Sequence, residues 1–121
     1  MSVQKTILLV DDDNDLLENT AFMIKNIGYD VITAENGIDA VEKYKEIKPN
    51  LVIMDIKMPE MDGYDAFFKI KQFDAEAKVI LITAYILDEK KQLKAKSMNL
   101  LATISKPYTF DQIENLVNQY T

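Results

Sequence analysis

The chain is predicted to be an α/β protein built on a doubly wound, five-stranded parallel sheet with five helices. Three observations point there. Short apolar runs alternate five times with stretches of helical periodicity, the pattern of a parallel sheet whose right-handed crossovers cover both faces. The runs Ile7–Val10 and Leu51–Met54 are apolar at every position, which suits strands buried on two sides. Gly and Pro number three each, and each falls where an element should end or turn.

In chain order, Ile7–Val10 is the first, central strand, closed by acids. From Asp13 the period changes, with Leu16, Leu17, Ala21, Ile24 and Ile27 at three- and four-residue spacing. Asp13 or Asn14 supplies the N-cap of this first helix and Gly28 its stop. Asp30–Ala34 is a second strand. Gly37–Ile47 is a second helix with Ala40, Val41, Tyr44 and Ile47 on one stripe, ended by Lys48-Pro49. Leu51–Met54 is the third strand, ending in Asp55. After a turn around Pro59 and Gly63 come a helix over Tyr64–Phe73, a strand over Val79–Thr83 and a helix over Leu87–Met98. Ala102–Ser105 is a weak fifth strand, and Phe110–Tyr120 a fifth helix with Ile113, Leu116, Val117 and Tyr120 inward. No linker, repeat or low-complexity tract interrupts this order, so one domain over residues 1–121 is expected, and the fifth helix reaching the end of the chain favours a whole protein.

Composition narrows the chemistry. A chain of 121 residues can bury a sufficient core without metals or disulfides. Fourteen Lys and Arg against twenty Asp and Glu leave a net charge of −6, which repels nucleic-acid phosphates and anionic membrane. There is no Cys and no His, so disulfides, a thiol nucleophile and thiolate zinc sites are excluded, and any reaction must run on carboxylates, Lys and hydroxyls. No apolar run approaches the ~18 residues of a membrane span, and the polar start lacks a secretory core, so a cytoplasmic protein is expected. The glycines form neither a dinucleotide fingerprint nor a phosphate-binding loop.

In an open parallel sheet ligands sit outside the carboxyl ends of the strands. The residues there are Asp11 and Asp12 after the first strand, Asp55 after the third, Thr83 after the fourth, and Ser105 with Lys106 after the fifth. Carboxylates this close repel one another, and a hard divalent cation, Mg²⁺ or Mn²⁺, relieves the conflict. A metal, a Lys, a hydroxyl and a carboxylate nucleophile are what phosphoryl transfer to an aspartate requires.

These residues resemble the receiver domain of two-component response regulators along the whole chain. The marks are Asp11-Asp12 after an apolar strand, Asp55 within Met54-Asp55-Ile56-Lys57-Met58-Pro59-Glu60-Met61-Asp62-Gly63, Thr83-Ala84, and Lys106-Pro107-Tyr108. The resemblance is to the single-domain type, as in sporulation phosphorelay and chemotaxis regulators, and implies the flavodoxin-like strand order 2-1-3-4-5. It implies Asp55 as phosphoacceptor, and Asp12 and Asp11 as metal ligands, Asp11 largely through water. The Lys57 carbonyl would be a further ligand. Thr83 and Ala84 would contact the phosphoryl group, Lys106 would pair with it, and Lys106-Pro107 would be a cis peptide. The implied donor is a phosphohistidine on a sensor kinase or phosphotransfer protein, docking on the exposed flank of the first helix near Asn14, Asp15, Glu18 and Phe22. Met58, Met61, Tyr85 and Tyr108 stand where a partner could also touch. The downstream partner is unknown; a monomer is expected, with dimerisation on phosphorylation left open.

The pattern departs from the family in two places. Thr103 stands three before Lys106, where an aromatic is usual, and Asn99 replaces the usual Gly seven before it. The sporulation type shares the missing aromatic and a Lys two past the acceptor, which favours a relay intermediate. Lys57 and Tyr85 would flank the path of water to an acyl phosphate, and neither is suited to orient it, so slow self-dephosphorylation is expected.

Blander and rival readings remain beside this one. Asp13 is a helix cap, Glu60 and Asp62 are solvated turn residues, and Asp88–Lys96 is the solvated face of the fourth helix. Asp11-Asp12-Asp13 also matches the Asp-x-Asp of haloacid-dehalogenase phosphatases, with Asp11 as nucleophile, but the chain lacks room for that fold's cap and later acidic motif. The third reading is an interaction module that needs no phosphorylation; the intact constellation stands against it.

Overall fold

The structure, a computed structural model, describes residues 4–84 and 88–121. Its elements are β1 (Thr6–Val10), α1 (Asn14–Asn26), β2 (Asp30–Ala34), α2 (Gly37–Ile47), β3 (Leu51–Asp55), α3 (Gly63–Phe73), β4 (Val79–Thr83), α4 (Glu89–Ser97), β5 (Ala102–Ser105) and α5 (Phe110–Tyr120). All strands pair in parallel, as the alternation of elements predicts, and in the order β2-β1-β3-β4-β5 that the resemblance implies.

Side-chain alternation divides the central strands between two cores. Leu8, Val10, Val52, Met54 and Leu81 face one cluster, closed by Ala40 and Tyr44 of α2, Phe67 and Ile70 of α3, and Ala95 of α4. Ile7, Leu9, Leu51, Ile53, Ile80 and Ile82 face the other, closed by Leu17, Ala21 and Ile24 of α1 with Ile113 and Val117 of α5. Both sheet faces are therefore covered, which explains why β1, β3 and β4 read as unbroken apolar runs.

Of the two N-caps expected for α1, Asp13 makes the cap, and the other helices open on capping side chains of the same kind. Asp13, Asn36, Asp62, Asp88 and Thr109 each accept a first-turn backbone N–H. Gly28 (φ 106°) and Asn99 (φ 64°) adopt the left-handed conformation after α1 and α4. Asn99 thus does the work of the glycine it replaces.

Four expectations are corrected. Ile47, placed on the inward stripe of α2, is 42% exposed as the last residue of that helix. The fourth helix ends at Ser97, with Met98 as its C-cap, one residue earlier than expected. Asp62 is not a solvated turn residue but the N-cap of α3 and an ion-pair partner of Lys91. Met58 is 8% exposed and packs in the core with Tyr64 and Phe67, so it offers no surface to a partner. The start of the fourth helix at Leu87 and every expectation for Tyr85 lie outside the described residues.

Candidate functional site

The strand order reverses between β1 and β3, and the two buried acids lie on either side of that reversal. Asp11 follows β1 directly, its backbone N–H held by the Ala34 carbonyl at 3.2 Å. Asp55 is the last residue of β3, and Thr83 the last of β4. All three are buried, while Asp12 turns outward at the mouth. Lys106 leaves β5 with its N–H donating to the Thr83 carbonyl at 2.8 Å, and the Lys106-Pro107 peptide is cis.

Behind Asp55 the chain turns sharply into α3. The Gly63 N–H donates to the Ile56 carbonyl at 2.8 Å, and a Cβ on Gly63 would meet the Asp55 carbonyl oxygen at 2.4 Å. Only glycine allows α3 to begin so close to the strand that carries the acid.

The Lys106 ammonium joins the two buried acids, with Nζ 3.1 Å from Asp55 Oδ2 and 3.4 Å from Asp11 Oδ2. The other Asp11 oxygen accepts the Asp13 N–H at 2.9 Å. Burial pushes the Asp11 carboxyl above its ordinary range; the Asp13 N–H and Lys106 pull it back, and the Asp55 charge adds to the rise. Burial works against the charged form of Lys106, yet hydrogen bonds and charge from Asp55 and Asp11 outweigh it and hold the ammonium above its usual value.

One carboxylate oxygen from each of Asp11, Asp12 and Asp55 lies within 4.8 Å of the others. One ammonium against three carboxylates leaves surplus negative charge, and every donor is oxygen. That set fits a hard divalent cation such as Mg²⁺. The three acids open into a shallow cleft of about 280 Å³ shared with Asp13, Lys57, Ala84 and Lys106. Beside it, Leu16, Lys106, Pro107 and Tyr108 line an apolar hollow. The half-buried Tyr108 hydroxyl lies 3.4 Å from Thr20 Oγ1 of α1, and burial pushes its phenol pKa up.

The structure thus brings Asp11, Asp12, Asp55, Lys57, Ala84 and Lys106 to one cleft, with Thr83 beside it on the β4 end. Asn14, Asp15 and Glu18 are exposed on α1, as is Phe22 at 65%. The sequence reading missed Tyr64 and Gln92, which meet in the interior at 2.6 Å. The available signal was the spacing of Gln92 and Ala95, three apart on the inward side of an otherwise charged helix.

Comparison with known proteins agrees with this geometry. The response regulator receiver domain family matches residues 7–118. The chemotaxis protein CheY of Bacillus subtilis (strain 168) is 42% identical over 118 residues, covering 93% of this chain and 94% of its own. Sporulation initiation phosphotransferase F of the same organism is 31% identical over 122 residues, covering 98% and 94%. The crystal structure of a CheY-like response regulator receiver domain protein from Methanospirillum hungatei JF-1 superposes with a TM-score of 0.90 at 26% identity, covering 97% of this chain and 93% of that one.

Proposed function

The chain belongs to the response regulator receiver domain family, and from that membership we propose that it takes a phosphoryl group from a phosphohistidine onto Asp55 and passes the signal on through protein contacts. The observation that carries this reading is the placement of Lys106 Nζ between Asp55 and Asp11 at the open edge of the sheet. A phosphoacceptor needs a carboxylate with a fixed cation beside the incoming charge, and this chain supplies both.

A free Asp55 carboxylate oxygen attacks phosphorus in line. The new O–P bond forms as the N–P bond to the donor imidazole breaks, and that nitrogen recovers a proton from solvent. Lys106 then pairs with a phosphoryl oxygen, and the Thr83 hydroxyl donates to another. Asp11, Asp12, Asp55 and the Lys57 carbonyl would hold Mg²⁺ or Mn²⁺, which neutralises charge on the phosphoryl oxygens when bound. The chain makes its own acyl phosphate and loses it slowly, so it is not a turnover enzyme.

In this reading the whole chain acts as one cytoplasmic, monomeric receiver. The exposed α1 flank at Asn14, Asp15 and Glu18, with Tyr108 beside the cleft, faces the kinase or phosphotransfer partner. Greater identity to the chemotaxis protein than to the sporulation protein supports a switch over a relay intermediate.

Intact mass after incubation with acetyl phosphate and Mg²⁺ tests the chemistry. A gain of one phosphoryl group is expected in the wild type, and none in Asp55→Asn or with chelator. A gain in Asp55→Asn equal to that of the wild type would overturn the assignment of Asp55.

A further inference from the structure

Helix α4 is held to the protein in an unusual way for a helix on a parallel sheet. Of its nine residues only Gln92 and Ala95 are buried, so little apolar surface fastens it. Its attachments are mostly polar. Lys91 pairs with Asp62 at 3.0 Å and Asp65 at 3.1 Å, and Lys94 lies over the Phe68 ring at 4.5 Å. Both ion pairs are partly exposed and therefore weak.

Gln92 makes the interior attachment. The fully buried Tyr64 hydroxyl of α3 donates to Gln92 Oε1 at 2.6 Å, and Gln92 Nε2 donates to Thr103 Oγ1 of β5 at 2.9 Å. Burial keeps the Tyr64 phenol protonated and hence a donor. Thr103 stands three before Lys106, and its hydroxyl is the acceptor that ties Gln92 to β5. Gln92 and Thr103 also line one groove of about 480 Å³ with Thr83 and Ser105, residues that pair across β4 and β5. The hydrogen-bonded chain from Tyr64 to Thr103 therefore ends on the groove that Thr83 also lines.

We propose that Gln92 is a positioning residue: with Tyr64 and Thr103 it latches α4 in the unphosphorylated arrangement, and the strength of that latch sets how readily Asp55 is phosphorylated. The proposal rests on the receiver reading and adds the side chain through which α4 resists the change. Releasing a buried amide from either partner leaves it unsatisfied, so the latch favours one arrangement sharply.

The test compares the full chain with Thr103→Val, which keeps the volume and removes the hydroxyl, Tyr64→Phe, and Thr103→Ser, which restores the acceptor. Two quantities are read: amide hydrogen exchange within Glu89–Ser97 without phosphoryl donor, and the rate of phosphoryl gain from acetyl phosphate with Mg²⁺. Thr103→Val and Tyr64→Phe are each expected to speed α4 exchange and phosphoryl gain by about threefold to tenfold, with Thr103→Ser close to wild type. Unchanged α4 exchange overturns the latch. Faster exchange with an unchanged phosphorylation rate, in a wild type that does gain phosphate, reduces Gln92 to a structural contact and overturns it too. No phosphoryl gain even in the wild type overturns the receiver reading and the proposal with it, and is recognised by the failure of the wild type itself.

Discussion

Gly63 shows how a residue without a side chain can govern a reactive one. A Cβ there would lie 2.4 Å from the Asp55 carbonyl oxygen and 2.8 Å from Ile56 Cα, so Gly63→Ala must push β3 and α3 apart. A loss of about 2–3 kcal/mol in denaturant unfolding is expected, with slower phosphoryl gain because Asp55 is displaced. The sequence marked Gly63 only as a turn; the short approach behind the acid is a tertiary fact. At Lys57, exposed at the mouth of the cleft, the expectation is kinetic. On the receiver reading, replacing Lys57 with Asn and Tyr85 with Glu would supply groups able to orient water. Decay of the phosphorylated form, followed by intact mass, should then quicken about tenfold or more. An unchanged decay rate would show that water reaches the acyl phosphate by another path.

At the scale of elements, α4 and α5 contrast. The apolar positions of α5 recur at helical spacing, and Thr109 and Gln112 close a reciprocal capping box at 2.8 and 3.3 Å. Its extent was legible in the sequence because local signals and burial agree. Thr109→Ala should cost about 1 kcal/mol, seen as a fall of roughly 4 °C in melting temperature, without loss of phosphoryl gain. In α4 local and global signals diverge. Its charged run reads as a solvated face, and the one polar side chain that turns inward has partners 28 and 11 residues away. Neither partner is visible to periodicity, and so Gln92 escaped notice.

Across the whole molecule, α2 and α3 are tied at their far ends by Tyr44, whose hydroxyl donates to Asp74 Oδ2 at 2.8 Å. That bond, with the Glu76 N–H, holds the Asp74 carboxyl below its ordinary value of 3.8. A depressed carboxyl stabilises the folded state above its unfolded value, and the contribution is lost as pH falls through the folded one. Tyr44→Phe should therefore be less stable than wild type at pH 7, by no more than about 1 kcal/mol since water screens the partly exposed carboxylate. The two unfolding curves should converge as the pH falls through the depressed titration of Asp74. A difference that persists at pH 2 would assign the effect to packing instead.

By itself the sequence determined the order of strands and helices and the residues that reach the sheet's carboxyl edge. Apolar runs, caps and breakers are local, and each states its own conformation within a few residues. It also determined the chemistry open to the site, since a chain without Cys or His has few groups to offer. Only the tertiary structure decided that Lys106 bridges Asp11 and Asp55 across 95 and 51 residues, that Met58 is core rather than surface, and that Gln92 faces inward. Those outcomes depend on distances between elements, which packing sets and no local spacing encodes.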